Sequence, residues 1–266
     1  MHPHETPSLP RTPPEPLRVV TYNIHKAVQG MGPAKRLEIH NLQRAIDALG
    51  ADVVCLQEVR KMNRKGELRF VDWPRQSQAD FLAPEGYQAV YETNAITKHG
   101  EHGNALLTPW PVLCTLHEDM SDHRFEQRGL LYSALNYAGH TVHVIVVHLG
   151  LVAGSRVRQV QQLARFIDRQ IPGHEPLLVA GDFNDWGVKL LPLMATFGLS
   201  SGLGMATCRT YPSRLPMAQL DHIYARGLRR TRQYVPQAGM LMGRTGLNSW
   251  ARLSDHLPLI AEFELP

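Results

Sequence analysis

The chain has 266 residues, of which 43% are hydrophobic and 20% are charged, and its formal net charge is +4. This balance is typical of a folded globular protein and excludes a wholly disordered chain, a collagen and a heptad-repeat rod. No stretch of about 18 apolar residues occurs, so no transmembrane helix is predicted. The mild positive charge suits a polyanionic partner such as nucleic acid or an anionic lipid surface, and a solvated basic surface equally well.

The first 16 residues are rich in proline and lack the apolar core of a secretory signal. We predict a disordered leader over residues 1–16 and a single domain over residues 17–266. The three cysteines, Cys55, Cys114 and Cys208, are far apart and odd in number. A disulfide framework is therefore not expected, and the reducing cytoplasm is the predicted location.

A β-helix-β unit is predicted at the start of the domain. The β-branched segment 17–24 predicts a strand, and apolar residues at steps of three and four predict a helix over residues 39–49. Gly50 follows at the position of a helix C-terminal cap. The apolar segment 51–59 predicts a second buried strand.

The rest of the chain continues to alternate strands and helices. Further strands are predicted over residues 103–108, 130–137, 140–149, 176–184, 219–226 and 257–265. An amphipathic helix is predicted from Val157 to Ile171, where the Pro172-Gly173 pair ends it. The strands around residues 105–148 favour antiparallel pairing, so we expect mixed sheets with outer helices, and the strand count is compatible with two sheets.

Polar residues recur where the predicted hydrophobic strands end. They are Asn23 and His25, Glu58, His148, Asp182 and Asn184, Asp221 and His222, and Asp255 and His256. Strand ends at one edge of a sheet sandwich converge in space, and a buried carboxylate costs several kcal/mol unless it is paired or bound to metal. We therefore predict that these residues share one active site.

The residue types indicate the chemistry of this site. Carboxylates and amides dominate and cysteine is absent, which favours Mg²⁺ or Mn²⁺ over structural zinc. Glu58 and Asp255 suit the metal ion, whereas His148 and His256 suit a phosphoryl oxygen as hydrogen-bond donors. Asp221 could fix the tautomer of one of these histidines.

The GDFN segment places one carboxylate and one amide two residues apart. In an extended chain, Asp182 and Asn184 would point the same way and face one substrate atom. This arrangement suits a general base that orients and deprotonates water.

The ordered motifs TYNIH, LQEV, GNALL, HLG, GDFN, LDHIY and SDHLP resemble the endonuclease/exonuclease/phosphatase superfamily over residues 17–263. That group includes deoxyribonuclease I, apurinic endonucleases, neutral sphingomyelinases, deadenylases and inositol polyphosphate 5-phosphatases. The resemblance implies a deoxyribonuclease I-like fold, which is a four-layer α/β sandwich with two packed mixed β-sheets flanked by helices. It also implies that residues 17–266 form the catalytic domain of a metal-dependent phosphoric ester hydrolase.

The resemblance further implies which residues bind the metal ion and the substrate. Glu58 and Asp255 would hold the metal ion together with Asn23. Arg128, in the segment EQRGLL, would contact the phosphate. Asn23 and Asn104, in GNALL, would also bind the substrate.

Five catalytic residues follow from the same resemblance. Asp182 would activate the attacking water with the support of Asn184. Asp221 would orient His256, which would stabilise the pentacovalent phosphate, and His148 would contact the phosphate as well. The predicted cofactor is Mg²⁺, with Mn²⁺ as an alternative ion.

The expected reaction is hydrolysis of a phosphodiester by in-line attack of water. Nucleic acid is favoured over phospholipid by two basic runs, which comprise Arg60, Lys61, Arg64, Lys65 and Arg69, and Arg226, Arg229, Arg230 and Arg232. A sphingomyelinase-like phospholipid hydrolase or a small-molecule phosphoesterase stays open. A non-catalytic binding protein is disfavoured because every catalytic position is filled, and no obligate protein partner is implied.

Overall fold

Two mixed β-sheets pack face to face, and helices cover their outer faces. This architecture comes from a computed structural model that describes residues 16–202, 207–236 and 249–265. It confirms the predicted four-layer α/β sandwich. The predicted leader over residues 1–16 lies outside the described residues except for Pro16.

The bounds of the elements follow in chain order. The strands are β1 Leu17–Asn23, β2 Val28–Gln29, β3 Arg36–Leu37, β4 Val53–Val59, β5 Gln88–Thr97, β6 Gly100–Thr108, β7 Val112–Asp119, β8 Gly129–Tyr137, β9 His140–His148, β10 Leu177–Asp182, β11 Asp221–Arg226, β12 Arg229–Tyr234 and β13 Leu259–Glu264. The helices are α1 Ile39–Leu49, α2 Arg64–Arg69, α3 Gln78–Leu82, α4 Ala153–Gln170 and α5 Leu191–Thr196.

Each large sheet contains one parallel strand pair. The first sheet has the order β12-β13-β1-β4-β6-β5, the second has the order β11-β10-β9-β8-β7, and β2 and β3 form a small separate ribbon. The parallel pairs are β1 with β4 and β9 with β10, and the other neighbours run antiparallel. Because both parallel pairs end in polar residues, these pairs bring the predicted site residues to one end of the sandwich.

Alternation along the strands divides the apolar core into three layers. Val19 and Val53 face the second sheet, whereas their neighbours Val20 and Val54 face α1. On the other side of the molecule, α4 covers the second sheet with residues such as Phe166. Strands buried on both faces need continuous apolar runs, which is why the sequence identified them readily.

The predicted helices and buried strands are found close to the expected positions. Helix α1 ends at Gly50, which adopts φ 53 and caps the helix with its backbone N–H on the carbonyl of Asp47. The strands that the sequence did not reveal include β5, β7 and β12, each of which lies at the edge of its sheet. Edge strands are partly exposed to solvent, so they lack a continuous apolar run.

Two further expectations concern the cysteines and the membrane. None of the three cysteines forms a disulfide, and Cys55 and Cys208 are buried. Within the described ranges, no helix has the length and apolar character needed to span a membrane.

Candidate active site

Asp182 lies at the centre of a row of polar residues at one end of the sandwich. In the second sheet, its register partners are His148 on β9 and Asp221 on β11. From the first sheet, Asn23 at the end of β1 donates from Nδ2 to Oδ2 of Asp182 over 3.0 Å. These polar side chains therefore lie together where the ends of both sheets meet.

Two histidine rings face the same oxygen of Asp182. Nε2 of His148 and Nε2 of His256 each lie 3.6 Å from Oδ2 of Asp182. The other ring nitrogen of His256, Nδ1, lies 2.8 Å from Oδ2 of Asp221. An acceptor on Nδ1 fixes the ring orientation and tautomer. Asp221 thus directs Nε2 of His256 towards Asp182.

The environment gives the two histidines different charges. Burial opposes protonation of His256, but Asp221 and Asp182 outweigh it and raise the pKa of His256 to about 10. Burial, reinforced by Arg128, lowers the pKa of His148 to about 4. His256 is therefore cationic at neutral pH and His148 is neutral. Burial also raises the pKa of Asp182, which brings this carboxylate closer to the value of an effective general base.

The chain bends sharply after Asp182. Asn184 has φ 49, and its backbone N–H donates to Oδ1 of Asp182 over 2.9 Å. Its side-chain Nδ2 donates to the carbonyl of Leu149 over 3.0 Å. The expectation of an extended segment was therefore wrong, because left-handed backbone turns the Asn184 side chain away from the direction of Asp182. In this geometry Asn184 positions Asp182 through its backbone.

Glu58 and Asp255 form the more open side of the site. Lys26 Nζ contacts Oε2 of Glu58, and Nδ1 of His25 lies 3.2 Å from Oδ2 of Asp255. Burial opposes ionisation of Glu58, but Lys26 and His148 hold its pKa well below the usual range. Burial also opposes ionisation of Asp255, but His25 outweighs the effect of burial and lowers the pKa of Asp255. Both carboxylates are thus ionised at neutral pH.

Backbone strain is concentrated around these residues. Seven described non-glycine residues have positive φ, and five of them are His25, Lys26, Ala27, Glu58 and Asn184. Such conformations cost on the order of 1–3 kcal/mol each and persist where the surrounding structure enforces them. Their clustering at the strand ends supports a functional site there.

The structure also locates two of the predicted substrate-binding residues, Arg128 directly before β8 and Asn104 on β6. Arg128 donates from Nε to the carbonyl of Leu149 over 3.2 Å and from one terminal nitrogen to Glu126 over 3.0 Å, so its guanidinium is fixed beside His148. Asn104 is fully buried, and its Nδ2 donates to the carbonyls of Gly129 and Val146. The Asn104 side chain thus joins β6 of the first sheet to β8 and β9 of the second, and its contact with the substrate stays a prediction.

Sequence reasoning missed three residues of the site. Lys26 immediately follows TYNIH, and its position in that motif was a usable signal. Ser254 donates from Oγ to the carbonyl of Asn23 over 2.6 Å and ties the SDHLP loop to β1. The ring of Tyr211 lies 4.9 Å from that of His256, centroid to centroid. Tyr211 belongs to no motif, so only the folded chain reveals it.

Comparisons with known proteins agree with this geometry. The model of the endonuclease/exonuclease/phosphatase family matches residues 20–256. The uncharacterized protein YbhP of Escherichia coli is 36% identical over 255 residues, which cover 93% of this chain and 96% of that protein. A UPF0294 protein of Yersinia pestis is 30% identical over 193 residues, which cover 69% of this chain and 67% of that protein.

Solved structures share the same fold at low identity. A functionally unknown conserved protein from Enterococcus faecalis superposes with a TM-score of 0.72 at 19% identity, covering 94% of this chain and 100% of the other. A mannosyl-6-phosphatase from Bacteroides thetaiotaomicron superposes with a TM-score of 0.68 at 15% identity, with coverage of 94% and 100%. The chain belongs to the endonuclease/exonuclease/phosphatase family and is a phosphoester hydrolase.

Proposed function

We propose that this protein is a Mg²⁺-dependent phosphodiesterase that hydrolyses its substrate by direct attack of water. The observation that carries the proposal is the convergence of Asn23, His148 and His256 on Oδ2 of Asp182, at 3.0, 3.6 and 3.6 Å. A carboxylate surrounded by these donors suits proton transfer from water, and the same donors suit phosphoryl oxygens.

The residues of the open side fit a divalent metal ion. Glu58 and Asp255 supply ionised oxygen donors, and among the described residues one cationic or imidazole group forms an ion pair with each. Asn23 is a less free ligand, because its Oδ1 already accepts the N–H of His25 over 3.0 Å. Mg²⁺ binds through one or two carboxylates and retains water, which matches this pair. A bound Mg²⁺ would neutralise charge on the phosphoryl group and the leaving oxygen.

A second group of ligand atoms exists in the site. One oxygen or nitrogen from each of Asp182, Asp221 and His256 lies within 4.8 Å of the others. Asp221 is fully buried, however, and its Oδ2 is already bonded to His256. This group therefore suits proton transfer better than a hydrated metal ion, and the metal ion is assigned to Glu58 and Asp255.

The chain's own groups account for the remaining steps. Asp182 accepts a proton from the water whose oxygen forms the new bond to phosphorus. The cationic His256, held by Asp221, donates to a phosphoryl oxygen as negative charge develops there. His148 and Arg128 supply further donors to the phosphate. The bond from phosphorus to the ester oxygen breaks, and that oxygen takes up a proton from solvent water and leaves as an alcohol, while Asp182 returns its proton to solvent.

The choice of substrate rests on residues outside the catalytic centre. The structural neighbours include a mannosyl-6-phosphatase and a protein described as a 2′,3′-cyclic phosphatase, so the fold alone does not select a substrate. The basic run that follows Glu58 supports nucleic acid over phospholipid. The proposal includes a single catalytic domain over residues 17–266 and a cytoplasmic location, in keeping with three cysteines that form no disulfide.

The test is hydrolysis of bis-p-nitrophenyl phosphate with Mg²⁺, with Mn²⁺ and with EDTA. Wild type, Glu58→Gln and the exposed control Glu85→Gln are compared, with DNA, RNA and phospholipid vesicles as parallel substrates. We expect metal-dependent turnover that Glu58→Gln abolishes and Glu85→Gln retains, with nucleic acid the preferred natural substrate. Turnover that survives EDTA, or equal rates for both variants, would contradict the proposal.

A further inference from the structure

A cleft of about 410 Å³ lies beside the open side of the active site. Its walls come from the segment after β1, from Arg60 after β4, and from helix α2. Lys65 and Arg69 of this helix line the cleft, and Lys35 lines it from the loop that precedes β3. The proposed reaction does not use these three residues.

The cleft is continuous with the proposed metal site. Lys26 and His25 line it. The same two side chains contact Glu58 and Asp255, respectively. A group bound in the cleft would therefore lie next to the phosphate undergoing hydrolysis.

The charges in the cleft are almost entirely positive. Five lysine and arginine side chains line it, and none of the described lining residues carries a carboxylate. Among the described residues, Lys35, Arg60 and Lys65 form no ion pair. Like charges gathered in a concave surface repel one another and attract an anion. Burial lowers the pKa of Arg60, and the negative charge of Glu58 opposes this shift.

The second basic run, which comprises Arg226, Arg229, Arg230 and Arg232, differs from the cleft in the contacts of its side chains. On β12, Arg229 pairs with Glu264, Arg230 lies against the Phe263 ring at 5.0 Å, and Arg232 lies over the Tyr234 ring at 4.4 Å.

The second run also lies far from the active site. Arg230 and Leu17 are both in register with Phe263, so this run lies at the end of β1 opposite Asn23. The distance along β1 is about 20 Å. The arginines of β12 have partners within the protein and lie away from the site, whereas Lys35, Arg60 and Lys65 line the cleft and form no ion pair with any described residue.

We propose that the cleft binds a second phosphoryl group of the substrate. The enzyme would then prefer phosphodiesters that carry another phosphate close to the scissile one. This inference rests on the proposed phosphodiesterase function and names its substrate class. Charge-assisted hydrogen bonds from several cations would supply the binding energy.

The test compares two chromogenic substrates that differ by one phosphate. These are thymidine 5′-(p-nitrophenyl phosphate) and the same compound with a 3′-phosphate. For wild type with Mg²⁺, we expect kcat/KM to be roughly tenfold to hundredfold higher for the 3′-phosphorylated substrate, as expected for hydrogen bonds to a charged group. The double variant Lys35→Gln/Lys65→Gln should lose most of this ratio.

A matched control comes from the same basic run. Lys61 and Arg64 are exposed and do not line the cleft. The control Lys61→Gln/Arg64→Gln removes the same net charge and should keep the wild-type ratio. Equal wild-type rates on both substrates, or an equal loss of the ratio in both double variants, would overturn the proposal.

Binding separates this inference from the proposed function. Calorimetry with thymidine 3′,5′-bisphosphate and thymidine 5′-monophosphate measures binding affinity for the cleft in the absence of turnover. Tighter binding of the bisphosphate that only Lys35→Gln/Lys65→Gln weakens would support the cleft even if no substrate is hydrolysed. Glycerol 1,3-bisphosphate serves as a third ligand. An affinity similar to that of thymidine 3′,5′-bisphosphate would indicate that the cleft recognises the phosphate groups alone. A weaker affinity would indicate that the cleft recognises a nucleotide. Equal affinity for the two thymidine compounds would reject the cleft as a phosphate site.

Discussion

Around Asp182 the active site is buried, whereas around Asp255 it opens to solvent. Asp182, Asp221 and His256 are 1%, 0% and 5% exposed. The side chains of Asp255 and His25 are 38% and 42% exposed. Burial lets the protein set the pKa and orientation of the groups that move protons. Exposure lets the other half exchange ions and phosphate groups with solvent.

The two halves also differ in how their charges are balanced. In the buried half, His256 lies between two carboxylates, so its charge is compensated within the protein. In the open half, cations exceed carboxylates because the basic cleft adjoins Glu58. The buried half thus balances its charges within the protein, whereas the open half has an excess of positive charge that would attract an anionic ligand.

The largest effect is expected from breaking the buried half. His256→Gln should lower kcat by about 10² or more, because it removes a cationic donor to the phosphoryl oxygen. Asp221→Asn should lower kcat by about 10-fold to 100-fold, since Asp221 acts through the orientation and charge of His256. Steady-state kinetics of both variants and the double variant measure the coupling.

The double variant decides whether these residues act as a unit. If Asp221 acts only through His256, adding Asp221→Asn to His256→Gln should change kcat by less than about threefold. Fully additive losses of kcat would show that Asp221 has a role independent of His256 and would contradict the proposal that it acts through His256.

A smaller effect is expected in the open half. The ammonium of Lys26 contacts Glu58 and opposes a metal ion at the same carboxylate. Lys26→Gln should therefore lower the Mg²⁺ concentration for half-maximal activity by about fivefold, which corresponds to about 1 kcal/mol, the size of a charge–charge interaction at about 4 Å in water. The exposed control Lys98→Gln should leave it unchanged. Weaker Mg²⁺ binding in Lys26→Gln would show that Lys26 helps to assemble the site.

The smallest effect on activity is expected from the packing beneath the buried half. His222 stacks on Tyr224 with ring centroids 5.5 Å apart, and burial lowers its pKa to about 4 despite the attraction of Asp185. An unfolded histidine has a pKa of about 6.5, so the unfolded chain binds a proton between these values that the folded chain does not. This histidine therefore lowers the free energy of unfolding by up to about 3 kcal/mol as the pH falls from 6.5 to 4.

Denaturant unfolding across this pH range checks the sign of the His222 effect. The His222→Gln variant should show a flatter dependence of the free energy of unfolding on pH than wild type. The exposed control His174→Gln should match wild type. An unchanged slope in His222→Gln would mean that His222 is protonated in the folded protein as readily as in the unfolded chain.

The sequence was most informative about features that depend on one kind of residue, such as the apolar residues of a buried strand. The apolar runs of β4 and β9 identified buried strands, and the polar residues that follow them identified the active-site end of the sandwich. The edge strands β5, β7 and β12 escaped prediction because solvent covers part of each strand. The contacts of the β12 arginines were not visible in the sequence either, since Glu264 and Phe263 of β13 become neighbours of Arg229 and Arg230 only after folding.

Within the site, the direction of a side chain was harder to predict than the presence of its residue at the strand ends. Asp182 and Asn184 are both present at the strand end, but the left-handed backbone of Asn184 turns its amide to Leu149. Asn104 belongs to the predicted motif, yet its side chain is used between the sheets. Motif spacing gives the approximate place of a residue, whereas backbone conformation decides what its side chain contacts.

The central claim is that Asp182 activates water in the buried half. The most direct measurement is kcat of Asp182→Asn on bis-p-nitrophenyl phosphate at saturating Mg²⁺, beside the exposed control Asp47→Asn, with circular dichroism to verify the fold. We expect kcat to fall by at least about 10² in Asp182→Asn, because the amide cannot accept the proton, and to stay unchanged in the control. A folded Asp182→Asn variant that retains kcat within a few fold of wild type would contradict the account.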